Sequence, residues 1–420
     1  MFFIGWPTTR VGTTMAKRWI VPITRRVNHL PAARHIGYLD GLRALAVSLV
    51  VVRHVVLFAP AIATGVWIHV MQEGAHGVDL FFVISGFCLS YPTLAALNEQ
   101  NPVRFNVAEF FAKRVTRIVP PYWIALGITV LIGAILIGSG VDISATSISM
   151  PSIAQALSQL VFFDHTDLTN PSFWTLAVEF RWYLLFPIAL WLWVAHRRAF
   201  WAVIATCVVA YQFTLAGGVD VGTLPCFMLG IAAAAAQVRP GSLNKYAAYL
   251  FPFALAGAVA LEPLRGAAWL GQDQFGFQVA AFLFVLAVGN YRGTRAVLAW
   301  MPLRAIGVAS YSIYLMHQPI LGILIGRYGW APAPAVLVMV ASCFAFWALF
   351  ERTVLLARVR KPLVGYLSGP IANILRFAGA PAELQLSSAE THVERAADDV
   401  PQIHASPASA APEIVHLPAG

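Results

Sequence analysis

Residues 39–59, LDGLRALAVSLVVVRHVVLFA, decide how this chain is read. A helix needs about 20 mostly apolar residues to cross ~30 Å of hydrocarbon, and this run supplies 21 while carrying Arg43 and His54 inside it. The two stand 11 residues apart, which is three helical turns or about 16 Å along the axis, so they share a face. A strongly charged side chain at the centre of a span costs at least ~2.5–3.5 kcal/mol on insertion scales, so such residues face the protein interior and usually have a task. Asp40, three residues before Arg43, is placed to pair with it.

Nine further apolar runs follow, near 78–97, 118–138, 173–195, 199–216, 222–238, 246–262, 274–290, 307–326 and 333–350. With 59% hydrophobic and 11% charged residues, the composition excludes a soluble fold, which carries roughly a quarter charged residues. The runs are too long and too evenly apolar for a β-barrel. The expectation is an all-α integral membrane protein of about ten transmembrane helices with both termini cytoplasmic. Placing the N-terminus inside puts 23 of the 28 Lys and Arg in cytoplasmic segments, as the positive-inside bias requires. The net charge of +9 therefore reports topology rather than nucleic-acid binding.

Three parts are expected: a basic cytoplasmic segment over 1–35, a transmembrane domain over 36–362, and a cytoplasmic tail over 363–420, disordered after about 380, where Ala, Pro, Ser and Glu dominate. No cleavable signal peptide is evident, so the first span serves as its own signal. Cys88, Cys207, Cys226 and Cys343 all fall in spans without metal spacing and read as buried thiols. Pro151–Phe163, in the long connection 139–172, is apolar but too short to span; it reads as an interfacial or re-entrant helix able to roof a cavity.

The other spans hold a short set of polar groups. Asp79 opens the second at a depth comparable with His54, where a carboxylate could orient the imidazole or simply answer a helix N-terminus. Gly86 and Ser90, four apart, suit close helix packing. Lys113, Arg114 and Arg117 stand at the cytoplasmic mouth of the third span, and one helical turn presents Arg114 and Arg117 together to a phosphate. Glu179 and Tyr183 share a face of the fourth span, with Glu179 near the level of His54. His317 lies near mid-depth of the ninth, and Glu351 marks the inner end of the tenth. No P-loop, G-x-S-x-G or H-E-x-x-H occurs.

This ordered set resembles the membrane acyltransferase-3 family, over about residues 36–355. Its Arg-x10-His signature is met by Arg43 and His54, and its G-x-D-x-F-F-x-x-S-G element by Gly77 to Gly86. Arg-x-x-Arg-Ile-x-Pro is met by Arg114 to Pro120, F-W-[ST]-L-x-x-E by Phe173 to Glu179, and Tyr-Ser-x-Tyr-Leu-x-His-x-Pro by Tyr311 to Pro319. Two departures stand out. Arg53 precedes the histidine, where it would favour the neutral, basic imidazole or touch an anionic substrate. Phe180-Arg181-Trp182 replaces the usual Glu-Gln-Phe, so Arg181 could alter the outer pocket.

The resemblance implies a membrane-bound O-acyltransferase of the bacterial inner membrane, of the form without a C-terminal SGNH domain. Its acyl group, acetyl foremost, would come from cytoplasmic acyl-coenzyme A as co-substrate and go to a hydroxyl of an exported glycan or glycolipid. No resident cofactor and no metal is required. Arg114 and Arg117 would hold the coenzyme phosphates, with Arg43 deeper along the path and Tyr183 and His317 lining the binding path. His54 would act as the base, with Asp79 or Glu179 orienting it. A transporter or flippase for a lipid-linked or small acylated molecule is the alternative that intramembrane Arg, His, Asp and Glu also suit.

Overall fold

The computed structural model describes residues 36–387 apart from 63, 100–101, 164–167, 214–218 and 262–273. The basic segment 1–35 and the tail beyond 387 lie outside the described residues. The chain forms α1 (Gly37–Phe58), α2 (Val66–Gln72), α3 (Gly77–Glu99), β1 (Val103–Asn106), α4 (Val107–Gly138), α5 (Ile153–Leu160), α6 (Trp174–Ala195) and α7 (Arg197–Phe213). It continues as α8 (Val219–Val238), α9 (Ser242–Leu261), α10 (Gln274–Asn290), α11 (Arg292–Leu298), α12 (Met301–Val308), α13 (Ser310–Leu321), α14 (Pro332–Phe346), α15 (Arg352–Leu355), α16 (Ala357–Phe377) and β2 (Glu383–Leu386).

Among the described residues six helices are long and apolar enough to cross a bilayer, or up to eight if each of two bent pairs is one span. The bent pairs are α10 with α11, at 102°, and α12 with the helix that begins at Ser310, at 70°. Of the expected spans, α7 and α9 are outside this set, and each ends where the described residues stop. Large apolar side chains such as Leu131, Ile135, Leu184, Phe253 and Leu337 point outward, exposed, as a lipid-facing surface requires.

Glycine sets the closest approaches. Gly86 on α3 and Gly230 on α8 face each other, and a Cβ on either would strike the opposite backbone, so the two helices pack at backbone distance. Ser90 bonds back to the carbonyl of Gly86 at 2.7 Å. Gly307 on α12 lies equally close to the Asp40 backbone of α1.

Three features depart from the expected pattern. α4 begins at Val107 rather than 118, because the Asn106 side chain accepts the Glu109 N–H at 2.8 Å and caps it. The basic residues 113–117 are therefore helical. The fold is not wholly helical either: β1 and β2 pair antiparallel, with Val103 opposite Leu386 and Asn106 opposite Glu383. This pair orders Glu383–Leu386, within the stretch after about 380 where the sequence predicts disorder. α16, long but interrupted in its apolar run by Arg358, Arg360 and Lys361, packs along α4. α5 is the short helix expected in the long loop; Tyr122 and Trp123 of α4 donate to its last carbonyls at 3.1 and 2.9 Å.

Candidate active site

Five helices surround a cavity of about 840 Å³, its open mouth included. α4 contributes Arg114 and Arg117, which fall on one face because they are one turn apart. Arg43 enters from α1, its guanidinium donating to Asp40 Oδ1 at 2.9 Å and to Cys88 Sγ at 3.1 Å. Arg114 lies 5.9 Å from the Phe110 ring centroid, and its buried Nε has no hydrogen-bond partner among the described residues. A buried donor left without an acceptor is costly, and here it belongs to a guanidinium that lines the cavity.

Glu179 faces the same cavity. It accepts from Ser85 Oγ at 2.5 Å and from Tyr183 OH at 2.5 Å, so its Oε1 is held by two hydroxyls. Thr175, one turn earlier on α6, donates to Tyr314 OH at 2.7 Å, and Tyr311 OH donates to the Ile118 carbonyl at 2.9 Å. These bonds tie α6, α4 and α13 together around the space.

The Tyr314 ring forms part of the wall, and the His317 ring centroid stands 5.7 Å from it. His317 is fully buried and meets His54 edge-on, ring centroids 4.8 Å apart. The hydrogen bonds fix which nitrogen carries each proton. His317 Nδ1 lies 2.9 Å from the Tyr314 carbonyl and 3.1 Å from that of Ile313. Carbonyl oxygens only accept, so Nδ1 bears the hydrogen and the neutral ring presents a lone pair at Nε2. That Nε2 is 3.3 Å from His54 Nδ1, which also lies 2.8 Å from the Val50 carbonyl. His54 Nδ1 is thus the donor, shared between Val50 and His317, and its Nε2 is left with the lone pair that a base needs.

The carboxylates expected to orient His54 are placed differently. Asp79 Oδ2 receives His76 Nδ1 at 2.6 Å, and Glu73 Oε2 faces the other ring nitrogen at 3.1 Å. Asp79 and His76 are three residues apart at a helix start, which puts them side by side. Glu179 is committed to Ser85 and Tyr183. The imidazole that meets His54 belongs instead to His317. Arg181 forms an ion pair, with Nε 2.9 Å and Nη2 2.8 Å from Asp220 Oδ1 on α8. Sequence reading left Ser85, Tyr314 and His76 without a role and took Cys88 for a buried thiol, whereas it is half-buried and lines the cavity. The hydroxyls were findable, since a carboxylate inside a span needs donors and Ser85 lies in the same motif as Asp79. Glu351, read as a helix-end marker, is buried and accepts from Ser312 Oγ at 2.5 Å.

The fold and these groups define a helical membrane protein with an arginine-lined cavity, and the His317–His54 pair stands behind its Tyr314 wall. The family model of the acyltransferase domain matches residues 36–352, and the chain belongs to that family. It is 26% identical over 330 residues to the O-acetyltransferase OatA of Staphylococcus aureus (strain NCTC 8325 / PS 47), covering 71% of this chain and 52% of that protein. The putative membrane-bound transacylase BcsY of Komagataeibacter xylinus is 28% identical over 397 residues, 85% of this chain and 92% of its own length. The putative peptidoglycan O-acetyltransferase YrhL of Bacillus subtilis (strain 168) is 26% identical, covering 69% of this chain and 49% of its own. The match thus spans about half the length of OatA and YrhL. No solved structure matches the chain.

Proposed function

We propose that this protein is an O-acyltransferase that moves an acyl group, acetyl in the first instance, from acyl-coenzyme A on the cytoplasmic side to a hydroxyl of an exported or cell-surface glycan or glycolipid. The setting is the inner membrane, crossed ten times with both ends in the cytoplasm. The observation that carries the reading is the His54–His317 pair, with His54 Nδ1 held by the Val50 carbonyl and His317 Nε2, behind the Tyr314 wall of a cavity lined by Arg43, Arg114 and Arg117.

Arg114 and Arg117 take the coenzyme phosphates, where bidentate guanidinium contacts are strongest, and Arg43 guides the arm inward. His54 Nε2 removes the acceptor hydroxyl proton as that oxygen attacks the thioester carbonyl. The C–S bond then breaks, and the imidazolium returns the proton to the leaving thiolate. During the step the charge on His54 is shared through Nδ1–H with the lone pair of His317 Nε2. His317 thus replaces the carboxylate of a triad as the group that orients and steadies the base. The named relatives are transferases, which favours transfer over a transport path.

The test is the full-length protein reconstituted in vesicles with radiolabelled acetyl-coenzyme A and a mixed glycan extract, beside His54→Ala. Label on the glycan that depends on His54 supports the reading. Undiminished transfer by the folded variant ends the assignment of the base.

A further inference from the structure

The last apolar span, Pro332–Leu355, is followed after a single residue by α16. That residue, Leu356, is extended, at φ −58° and ψ 133°, and breaks the helical run. α16 has 21 residues, about 31 Å at 1.5 Å per residue, yet it is not among the helices apolar enough to cross a bilayer. It starts where a span ends.

Its apolar residues divide between two sides. Val364, Ile371 and Leu375 are half-buried on the side that packs along α4. Leu363, Tyr366, Pro370, Ile374 and Phe377 follow one another at spacings of three, four, four and three, which gathers them within an arc of about 80°. All five are exposed, Phe377 at 96% and Tyr366 at 77%. Arg358 and Arg376, also exposed, stand 18 residues apart, about five turns, so they share a third side beside the apolar arc. With Arg360 and Lys361 the helix carries four cations, and it holds no Asp or Glu.

A row of large apolar side chains in water is unfavourable, and position and charge name what covers this one. A basic amphipathic helix lies in the plane of a bilayer surface, its apolar face among the lipids and its cations at the headgroups. Basic residues next to a span are drawn to anionic lipids. A second copy docked face to face would set these cations against their own kind.

We propose that α16 lies in the surface of the leaflet that this end of the last span reaches, with Leu363, Tyr366, Ile374 and Phe377 among the lipids and Arg358 and Arg376 on anionic headgroups. The contact stands apart from the acyl-transfer reading and holds whether or not the cavity takes a coenzyme.

The test places benzoylphenylalanine, a photo-cross-linker, at Tyr366 or at Phe377 of the full-length protein, in vesicles of equal phosphatidylglycerol and phosphatidylcholine. A probe at Leu131, exposed on α4, is the reference, and mass spectrometry identifies what each probe joins on illumination. Lipid adducts are expected at both positions, with phosphatidylglycerol over phosphatidylcholine by about threefold or more. Arg358→Gln/Arg376→Gln is expected to bring that ratio close to the one at Leu131. Thermal unfolding in detergent confirms that each variant is folded, and either probe position decides if the other is not. Cross-links to a second copy or to another part of the chain overturn the proposal. So does the absence of lipid adducts at both positions while Leu131 forms them, or equal use of the two lipids.

Discussion

His54 and His76 are two half-buried histidines at neighbouring levels of the bundle, and their partners make them different groups. Among the described residues His54 meets neutral acceptors alone, the Val50 carbonyl and the His317 lone pair, both at Nδ1. Its other nitrogen remains available. His76 has a carboxylate on each nitrogen, from Glu73 and Asp79, and its ring lies flat on Phe277 at 3.6 Å between centroids. One imidazole is aimed and open, and the other is clamped. An acid beside a histidine therefore does not by itself mark a base. What matters is whether the partners leave a nitrogen for the substrate.

The largest effect that sharpens this contrast is at His54 itself. His54→Ala is expected to lower turnover by about 10²–10⁴-fold, the usual worth of a general base, with the folded yield unchanged, as read by label transfer in vesicles. Next comes His317→Ala, which removes the acceptor that fixes the His54 tautomer. Loss of an orienting partner typically costs about 10–100-fold, and kcat should carry it while KM for the donor stays level. His317→Gln keeps an oxygen able to accept from His54 Nδ1–H and should recover part of the rate. If His317→Ala acts on KM alone, His317 serves binding and the tautomer argument fails.

Much of this arrangement is legible in the sequence. A charged or ionisable residue inside an apolar run has few places to go, so Arg43, His54, Glu179 and His317 stand out one by one, and the i, i+4 spacing already joins Glu179 to Tyr183. Pairing between helices is not legible in the same way. Depth along a span can be counted, whereas rotation about its axis depends on packing, so Asp79 looks as near to His54 as His317 does. The close approach at Gly86 and Gly230 fixes α3 against α8, and it is the rotation this imposes that no single run reveals. α16 and the β1–β2 pair escape notice for a different reason. Most of α16 and all of β2 read as a polar tail and β1 as part of a loop, and they are ordered by contacts with α4 and with each other.

A smaller effect separates binding from chemistry in the cavity. Arg114→Ala is expected to raise KM for the donor about tenfold or more, since a hydrogen bond to a charged group is worth about 1.5–3 kcal/mol, with kcat little changed. Arg114→Lys should restore little, because a point charge cannot reproduce a two-pronged contact. An equal fall in kcat would place Arg114 at the reacting atoms and blur the division between the basic cavity and the histidine pair.

The smallest catalytic effect, and the sharpest check on the contrast, is at His76. Its ring nitrogens bond Glu73 and Asp79, and the Asp79 carboxyl group is buried. His76→Gln leaves an amide able to donate to only one region of that pair and gives up the flat contact with Phe277. The expected cost is about 1.5–3 kcal/mol of stability, the worth of a hydrogen bond to a charged group, seen as a lower unfolding temperature in detergent. Turnover per folded molecule should match the unchanged protein, because neither His76 nitrogen is open to an acceptor hydroxyl. Should turnover instead collapse as it does for His54→Ala while the unfolding temperature holds, the clamped histidine takes part in the reaction, and partner type no longer separates base from buttress in this fold.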